Sequence, residues 1–420
     1  MTISPLLLLS LGLVVLVAGV CIAAGWVALR QKHMHLWLPA YVVCSGSQRR
    51  NLDDREPVDV FLAICDHFEP EFGHAEFRTA LERVGRWCDQ YPRRFAPFRD
   101  CRGRVPQHTF FFPQDQYRPE YLDRLSELCR AGYGDVEIHL HHDDDTAEAL
   151  REKLDVFRHT LFQRHGLLRR AASSGEIVYG FIHGNWALCN SHPEGRWCGV
   201  NEELTVLRDT GCYADFTMPS APDPTQTRTI NSIYYAVDRA GRPKSHDVGV
   251  RARVGQRPPD EGLLMIQGPL GLDWGHRKFG LLPRTENAEL HGTNPPTLAR
   301  LRLWLRAGVH VAGKPNWVFV KLHTHGCNPA NMDMLLGPAM ERFHAELAEY
   351  ATRRPGFRYF YVTAWEMAQL VHQAEQGAKE PSFEASGPCI ALDLPAGSDT
   401  LPRRSPARTS SGSARSTVWD

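Results

Sequence analysis

The chain has 420 residues, of which 43% are apolar, 23% charged and 10% aromatic, a globular composition that excludes a disordered, collagenous or coiled-coil protein. Lys and Arg (48) balance Asp and Glu (48), so no global field draws the protein to nucleic acid, and no nucleic-acid partner is expected. Histidine is the outlier, with 20 copies, several of them in tight groups.

Residues 5–29 form an uncharged apolar run. At 1.5 Å per residue it is longer than the roughly 30 Å hydrocarbon core of a bilayer. A cleavable signal peptide would need a basic start and a shorter apolar core, and residues 1–4 carry no basic group. The expectation is a retained transmembrane anchor over 1–32, followed by a linker over 33–56. Arg30 and Lys32 follow the span and nothing basic precedes it, which places the remaining domain on the cytoplasmic side of a bacterial inner membrane. The 11 cysteines are scattered without a CxxC pair and read as small buried apolar residues of a reducing compartment.

From 57 to 376 strand-like and helix-like segments alternate. Near-continuous apolar runs at 58–65, 108–112, 135–140, 177–183, 213–218, 263–267, 317–322 and 357–362 predict strands covered on both faces. Between them, Phe77, Leu81, Val84, Cys88 and Tyr91 repeat at helical spacing, as do Leu150, Leu154, Phe157 and Leu161, and Leu336, Met340, Phe343, Leu347 and Tyr350. This alternation implies an α/β fold with a parallel sheet, most economically a distorted (β/α) barrel of seven to eight strands. Residues 219–262 break the rhythm and predict long loops or a small hairpin. Residues 377–420 are rich in Pro, Ser, Gly and Ala and predict a disordered tail.

In parallel α/β folds chemistry gathers at the C-terminal ends of strands, and five predicted strands end in Asp or His. The first runs into Asp66-His67-Phe68-Glu69, the third into His139-Leu140-His141-His142 with Asp145 beyond, and the fourth into His183-Gly184-Asn185-Trp186. The fifth holds Asp215 and the seventh ends in His323-Thr324-His325. Residues two apart on a strand share a face, so His139 and His141 can enter one cavity, as can His323 and His325. Two imidazoles converging with a carboxylate make a three-ligand divalent-metal site with open positions for water and substrate. Among His139, His141, His142 and Asp145 the spacing does not single out the ligands. Trp186, Trp197 and Trp274 are candidates to stack on sugar faces.

In motif order the chain from about 58 to 376 resembles the polysaccharide deacetylase family (carbohydrate esterase family 4), whose members are distorted (β/α) barrels with a divalent metal, usually zinc. Asp66 matches the family's general base, and His67 occupies a metal-ligand place where the family has a second aspartate. His141 and Asp145 fall on the two histidine places of the second motif, with His139 able to take over as ligand. The family's arginine-proline motif is replaced by His183-Gly184-Asn185-Trp186. Asp215 looks like the acidic residue that orients the acid, and His323 like the general-acid histidine itself. The resemblance implies catalytic Asp66, His323 and Asp215, and a Zn2+ held by His67, His139 and His141. It implies a hydrolase removing N- or O-acetyl groups from a surface glycan, an exopolysaccharide or a lipid-linked precursor. The expected partners are the glycan substrate, the membrane and polysaccharide-synthesis machinery. A glycosidase using Asp66 and Asp215, or an inactive glycan-binding scaffold on the same barrel, stand as alternatives.

Overall fold

The computed structural model of the protein describes residues 5–43, 56–172 and 174–383. It opens with a long helix, α1 (Pro5–Gln31), and a short one, α2 (Leu38–Val43). Strands and helices then alternate: β1 (Val58–His67), α3 (Phe77–Phe95), β2 (His108–Pro113), α4 (Pro119–Arg130), β3 (Gly134–Leu140) and α5 (Ala147–His165). Next come β4 (Arg169–Arg170), β5 (Ile177–His183), α6 (Glu203–Asp209) and β6 (Cys212–Asp215). A strand-only stretch holds β7 (Ile233–Ala236), β8 (Val250–Arg251), β9 (Leu263–Ile266), β10 (Gly271–Lys278) and β11 (Leu282–Glu286). The chain closes with α7 (Leu298–Ala307), β12 (Trp317–Thr324), α8 (Pro329–Leu335), α9 (Pro338–Arg353), β13 (Phe357–Tyr361) and α10 (Ala364–Glu375).

All eight strands predicted from apolar runs form, and they build one mixed sheet in the order β12-β1-β2-β3-β5-β6-β9-β7-β8, with β13 beside β1 and β4 beside β5. From β12 to β9 the pairing is parallel; β7 and β8 add antiparallel strands at one end. Among the described residues no ladder joins β8 to β12, so strand pairing does not close the sheet into the expected barrel. Residues 309–312 run between these two edges: Ala312 bridges the β8 side through Ala312 N to Ala252 O and Val254 N to Ala312 O, and Phe319 N donates to Val309 O on the β12 side, all at 2.9 Å.

Every residue of β1 is buried, because the sheet is covered on both faces. One row of β1, Phe61, Ala63 and Cys65, packs with Phe111, Ile182, Phe319 and with Met367 and Val371 of α10; we call this the inner face. The other row, Val60, Leu62 and Ile64, packs with Trp87 of α3, Leu125 of α4 and Leu154 of α5 on the outer face. Each fully buried side chain of this size contributes about 1.5–3 kcal/mol. Helix ends follow their sequence signals: Thr146 caps α5 by accepting from Ala149 N (3.2 Å), and Thr363 with Glu366 forms a capping box on α10.

Three expectations change. The buried stripe of α3 is Ala80, Val84, Trp87, Tyr91 and Phe95, and Phe77 is 44% exposed. Trp87 sets this rotation by packing on Phe68 and His108 and donating to Gly326 O (3.0 Å). Residues 33–43 are not a free linker: Trp37 is wholly buried against Ala221, Ile230 and Leu270, with Tyr41 packed on the same cluster. The predicted tail begins later than 377, because Phe383 packs on Phe360 (5.0 Å between ring centroids) and Ser382 exchanges two hydrogen bonds with Gln373. Residues 384–420 and the linker positions 44–55 lie outside the described residues.

Residues 219–262 yield the antiparallel pair of β7 with β8, as the hairpin expectation had it. The β10–β11 hairpin beyond them was not predicted; it is isolated from the main sheet and exposes Trp274, Phe279, Leu281 and Leu282. At the other end, α1 has mean hydropathy 2.5 over Gly12–Gln31 and no burial there, so one helix is long and apolar enough to cross a membrane.

A candidate metal centre at the strand ends

On the inner face the C-terminal ends of three parallel strands converge. Strand alternation puts His67 in the inner row of β1, His139 in the inner row of β3 and His323 in the inner row of β12, where the neighbouring inner residues are Cys65, Glu137 and Lys321. The His67 ring centroid lies 4.9 Å from His139, 4.7 Å from His325 and 6.5 Å from His323. His141, one step beyond β3, stacks edge-on against His139 at 4.6 Å. Trp186, on the turn after β5, sits 6.1 Å from His67 and 6.0 Å from His325.

The hydrogen bonds fix what these rings can offer. His139 Nδ1 donates to the Ile182 carbonyl at 2.8 Å, so its Nε2 carries a lone pair. That Nε2 is buried without a hydrogen-bond donor, as is His67 Nε2. Glu69 Oε1 completes the group at 3.4 Å from His139 Nε2. One ligand atom from each of His67, Glu69 and His139 lies within 4.8 Å of the others, a spacing that can hold a metal ion. Unpaired buried acceptors are costly, and a cation is what these would accept.

Electrostatics agree with ligand duty. Burial, reinforced by neighbouring imidazoles, holds His67 and His139 below the usual imidazole range, which keeps them neutral at neutral pH. Burial would push the Glu69 carboxyl up, but the imidazoles beside it, His139 at 3.4 Å and His141 at 3.6 Å, outweigh it and hold it below the usual carboxylate range. Burial would likewise lower His141, yet Asp115 (3.1 Å from Nδ1) and Glu69 (3.6 Å from Nε2) raise its pKa to about 10. His141 is therefore a protonated imidazole between two carboxylates at the rim. His323 is buried with Nδ1 unpartnered, and burial lowers its pKa well below the usual value.

The structure thus brings together four residues picked out from sequence, His67, His139, His141 and His323, along with His325. It does not bring Asp66 to them. The pleat turns Asp66 to the outer face, where Oδ2 pairs with His108 Nε2 (2.8 Å) and Oδ1 accepts from Gly326 N (2.6 Å). Its carboxylate anchors the turn that carries His325 rather than facing the cluster. Asp215 accepts from Thr217 N (3.0 Å) and Thr217 Oγ1 (2.6 Å), with no hydrogen bond to His323. With both carboxylates so committed, the two-carboxylate arrangement expected for a glycosidase has no support in the hydrogen bonding. Asp145 pairs with His142 and Lys153, away from His139. Glu69 was not singled out, although it stands two residues after His67, at the spacing that recommended the His-x-His pairs.

A second group lies on the outer face, where His142, His183, Cys198 and Glu203 are all buried, with one ligand atom each within 4.8 Å of the others. His183 belongs to the outer row of β5 with Tyr179 and Phe181, so the pleat separates this group from the first. Among the described residues, two sets of His with Cys or Glu can therefore hold a metal ion. No protein-family model and no curated protein sequence matches the chain.

Proposed function

We propose that the protein is a membrane-anchored, metal-dependent hydrolase that removes acetyl groups from an amino- or O-acetylated glycan, with zinc as the metal. The observation that carries this reading is the commitment of His139 Nδ1 to the Ile182 carbonyl, which leaves Nε2 free at 3.4 Å from Glu69 Oε1, in a group with His67 whose ligand atoms lie within 4.8 Å of one another.

A divalent ion held by His67, Glu69 and His139 would polarise an acyl carbonyl and acidify a water molecule. The chain's own residues supply the rest. Neutral His323 is the group to take the proton of the attacking water and return it to the departing amine or alcohol. Protonated His141, held between Asp115 and Glu69, places a positive charge at the rim where the oxyanion develops. Trp186 offers a flat apolar wall on which a sugar ring can stack. Asp66 acts as a positioning residue, holding the Gly326 amide and with it the His325 turn. The fold we infer behind this chemistry is a distorted (β/α) barrel whose gap between β8 and β12 is bridged by residues 309–312.

The membrane side of the proposal rests on α1 and on the β10–β11 hairpin. Lys32, just past α1, lies near enough to Lys278 of the hairpin to lower its pKa by like-charge repulsion. The hairpin tip thus stands beside the end of the apolar helix, with Phe279 92% exposed and Trp274, Leu281 and Leu282 also open. Aromatic and basic groups side by side suit the interfacial layer of a bilayer, and such a placement favours a lipid-linked or nascent glycan as substrate.

The test is acetate release from acetylated amino-sugar oligomers by the detergent-solubilised protein, with elemental analysis of the same sample. We expect turnover that a chelator abolishes and zinc restores. A protein that holds its metal at the His67 site but releases no acetate from any acetylated glycan would sink the hydrolase reading.

A further inference from the structure

We propose that His142, His183, Cys198 and Glu203 form a closed, four-coordinate zinc site on the outer face of the sheet, separate from the catalytic cluster and structural in role. The proposal does not depend on the hydrolase reading.

The first argument is the hydrogen-bond arithmetic of the two rings. His142 Nδ1 faces Asp145 Oδ2 at 3.0 Å, and that carboxylate also pairs with Lys153 Nζ at 2.7 Å. An ionised carboxylate only accepts, so His142 Nδ1 carries the proton. His183 Nδ1 faces the Gly184 carbonyl, which likewise only accepts. With one proton on each ring, both present a bare Nε2 lone pair, and these two atoms are 2.8 Å apart. Glu203 Oε1 adds a third acceptor, 3.2 Å from His142 Nε2 and 3.4 Å from His183 Nε2. Three acceptors pointed at one another in a water-free interior repel unless a cation sits among them.

The fourth corner is sulfur. Cys198 Sγ donates toward Glu203 Oε2 at 3.4 Å and accepts from the amides of Asn190 (3.2 Å) and Val200 (3.4 Å); burial and the Glu203 carboxylate hold its pKa up, so the thiolate forms only with a cation beside it. A tetrahedral zinc site has ligand-to-ligand edges of about 3.3–3.7 Å for bonds of 2.0–2.3 Å; Glu203 Oε1 stands at 3.2 and 3.4 Å from the two rings, the two Nε2 atoms are closer at 2.8 Å, and all four ligand atoms lie within 4.8 Å of one another. The charges also balance: a thiolate and a carboxylate neutralise a divalent ion, and two imidazoles add none. The outer partners are those of a metal site, with each ligating ring fixed by a carboxylate or carbonyl on its far nitrogen and Glu203 Oε2 held by Cys189 N at 2.6 Å. No ring nitrogen, sulfur or carboxylate oxygen is left open to water, unlike the cluster on the inner face.

The second argument is the segment that the ion would hold. Residues 184–202 leave β5 and reach α6 without a strand or α-helix, and Asn185, Trp186, Cys189, Asn190 and Trp197 all take positive φ. Such backbone persists when the surroundings over-determine it. Gly199 (φ 94°) packs so tightly on the turn after β3 that a Cβ would stand 2.5 Å from Asp145 N. An ion bound by His142 at the end of β3, His183 at the end of β5, and Cys198 and Glu203 at the close of the excursion ties all three together. The same excursion carries Trp186 into the catalytic mouth, so the zinc sets one wall of the substrate site.

The experiment is zinc X-ray absorption on the full-length protein, purified in detergent without a metal-affinity step. The expected result is a zinc–sulfur shell at about 2.3 Å, which the inner cluster cannot supply because it contains no cysteine. The shell should survive in His67→Ala/His139→Ala and in Cys212→Ser, and vanish in Cys198→Ser. Where Cys198→Ser does not fold, Glu203→Gln serves, and it should lose zinc affinity at least 10-fold in chelator competition. A wild-type protein without sulfur-bound zinc, or with Cys198 in a disulfide, overturns the proposal, as does a Glu203→Gln protein of unchanged zinc affinity. A proton shared between His142 and His183 would show itself as the first of these results.

Discussion

At the scale of single residues, chemistry in this protein is decided by which nitrogen of each histidine is already in use. His139 can serve as a ligand because the Ile182 carbonyl takes its Nδ1; His344, by contrast, is a buried ring bonded to Tyr361 OH through Nδ1 at 2.7 Å and packed among Phe95, Phe98 and Phe343. His139→Ala should cut metal affinity at the inner cluster by 100-fold or more while leaving the outer group loaded, as read by elemental analysis of both proteins. His344 gives a pH prediction. Burial lowers its pKa from 6.5 to about 3, so its contribution to stability is complete above pH 6.5 and declines as the pH falls toward 3. The loss can reach about 1.4 kcal/mol per pH unit. The stability difference between wild type and His344→Gln should therefore narrow on going from pH 7 to pH 5 in denaturant titrations. A gap that stays constant would show that His344 does not carry the effect.

At the scale of elements, the strands were legible because a strand buried on both faces is a short continuous apolar run, and this protein has eight of them. The helices were legible in period but less so in phase. Both Phe77-Leu81-Val84-Cys88-Tyr91 and Ala80-Val84-Trp87-Tyr91-Phe95 repeat at helical spacing, and only the aromatic cluster around Phe68 and His108 selects the second. Trp87→Ala should cost about 3–5 kcal/mol and Phe77→Ala less than about 1 kcal/mol. Comparable losses from the two in thermal or denaturant unfolding would contradict the observed rotation of α3. The same local ambiguity explains Asp66. Adjacent residues on a strand face opposite ways, so a motif that places Asp66 and His67 together in sequence sends one to the His108 side and the other to the metal cluster.

At the scale of the whole molecule, the apolar helix, the docked segment around Trp37 and the exposed hairpin tip lie at one end of the protein. Trp37 packs against Leu270, which leads directly into β10, so the segment after the apolar helix and the hairpin share a foundation. If α1 is a retained anchor, the protein should stay in the membrane fraction after alkaline carbonate extraction, with Met1 still present by N-terminal mass analysis. Recovery of a protein lacking residues 1–32 from cells would identify the helix as a cleaved signal instead. Replacing Phe279, Leu281 and Leu282 together by Ser should leave this retention intact, since α1 alone buries enough apolar surface to hold the chain in a bilayer.

Composition and local pattern were sufficient for what depends on neighbours along the chain: the apolar span, the alternation of strands and helices, and the placing of histidine and carboxylate at strand ends. They also paired His139 with His141 and His323 with His325, because parity on a strand is a local property. The meeting of residues 67, 139 and 323 depends on strand order and register, which no local period encodes, and so does the choice of Glu69 over Asp66. The outer group was out of reach for the same reason. His142 stood outside the His139–His141 parity pair, and Cys198 and Glu203 were not singled out, because only the fold lays the 184–202 segment and the start of α6 across the ends of β3 and β5.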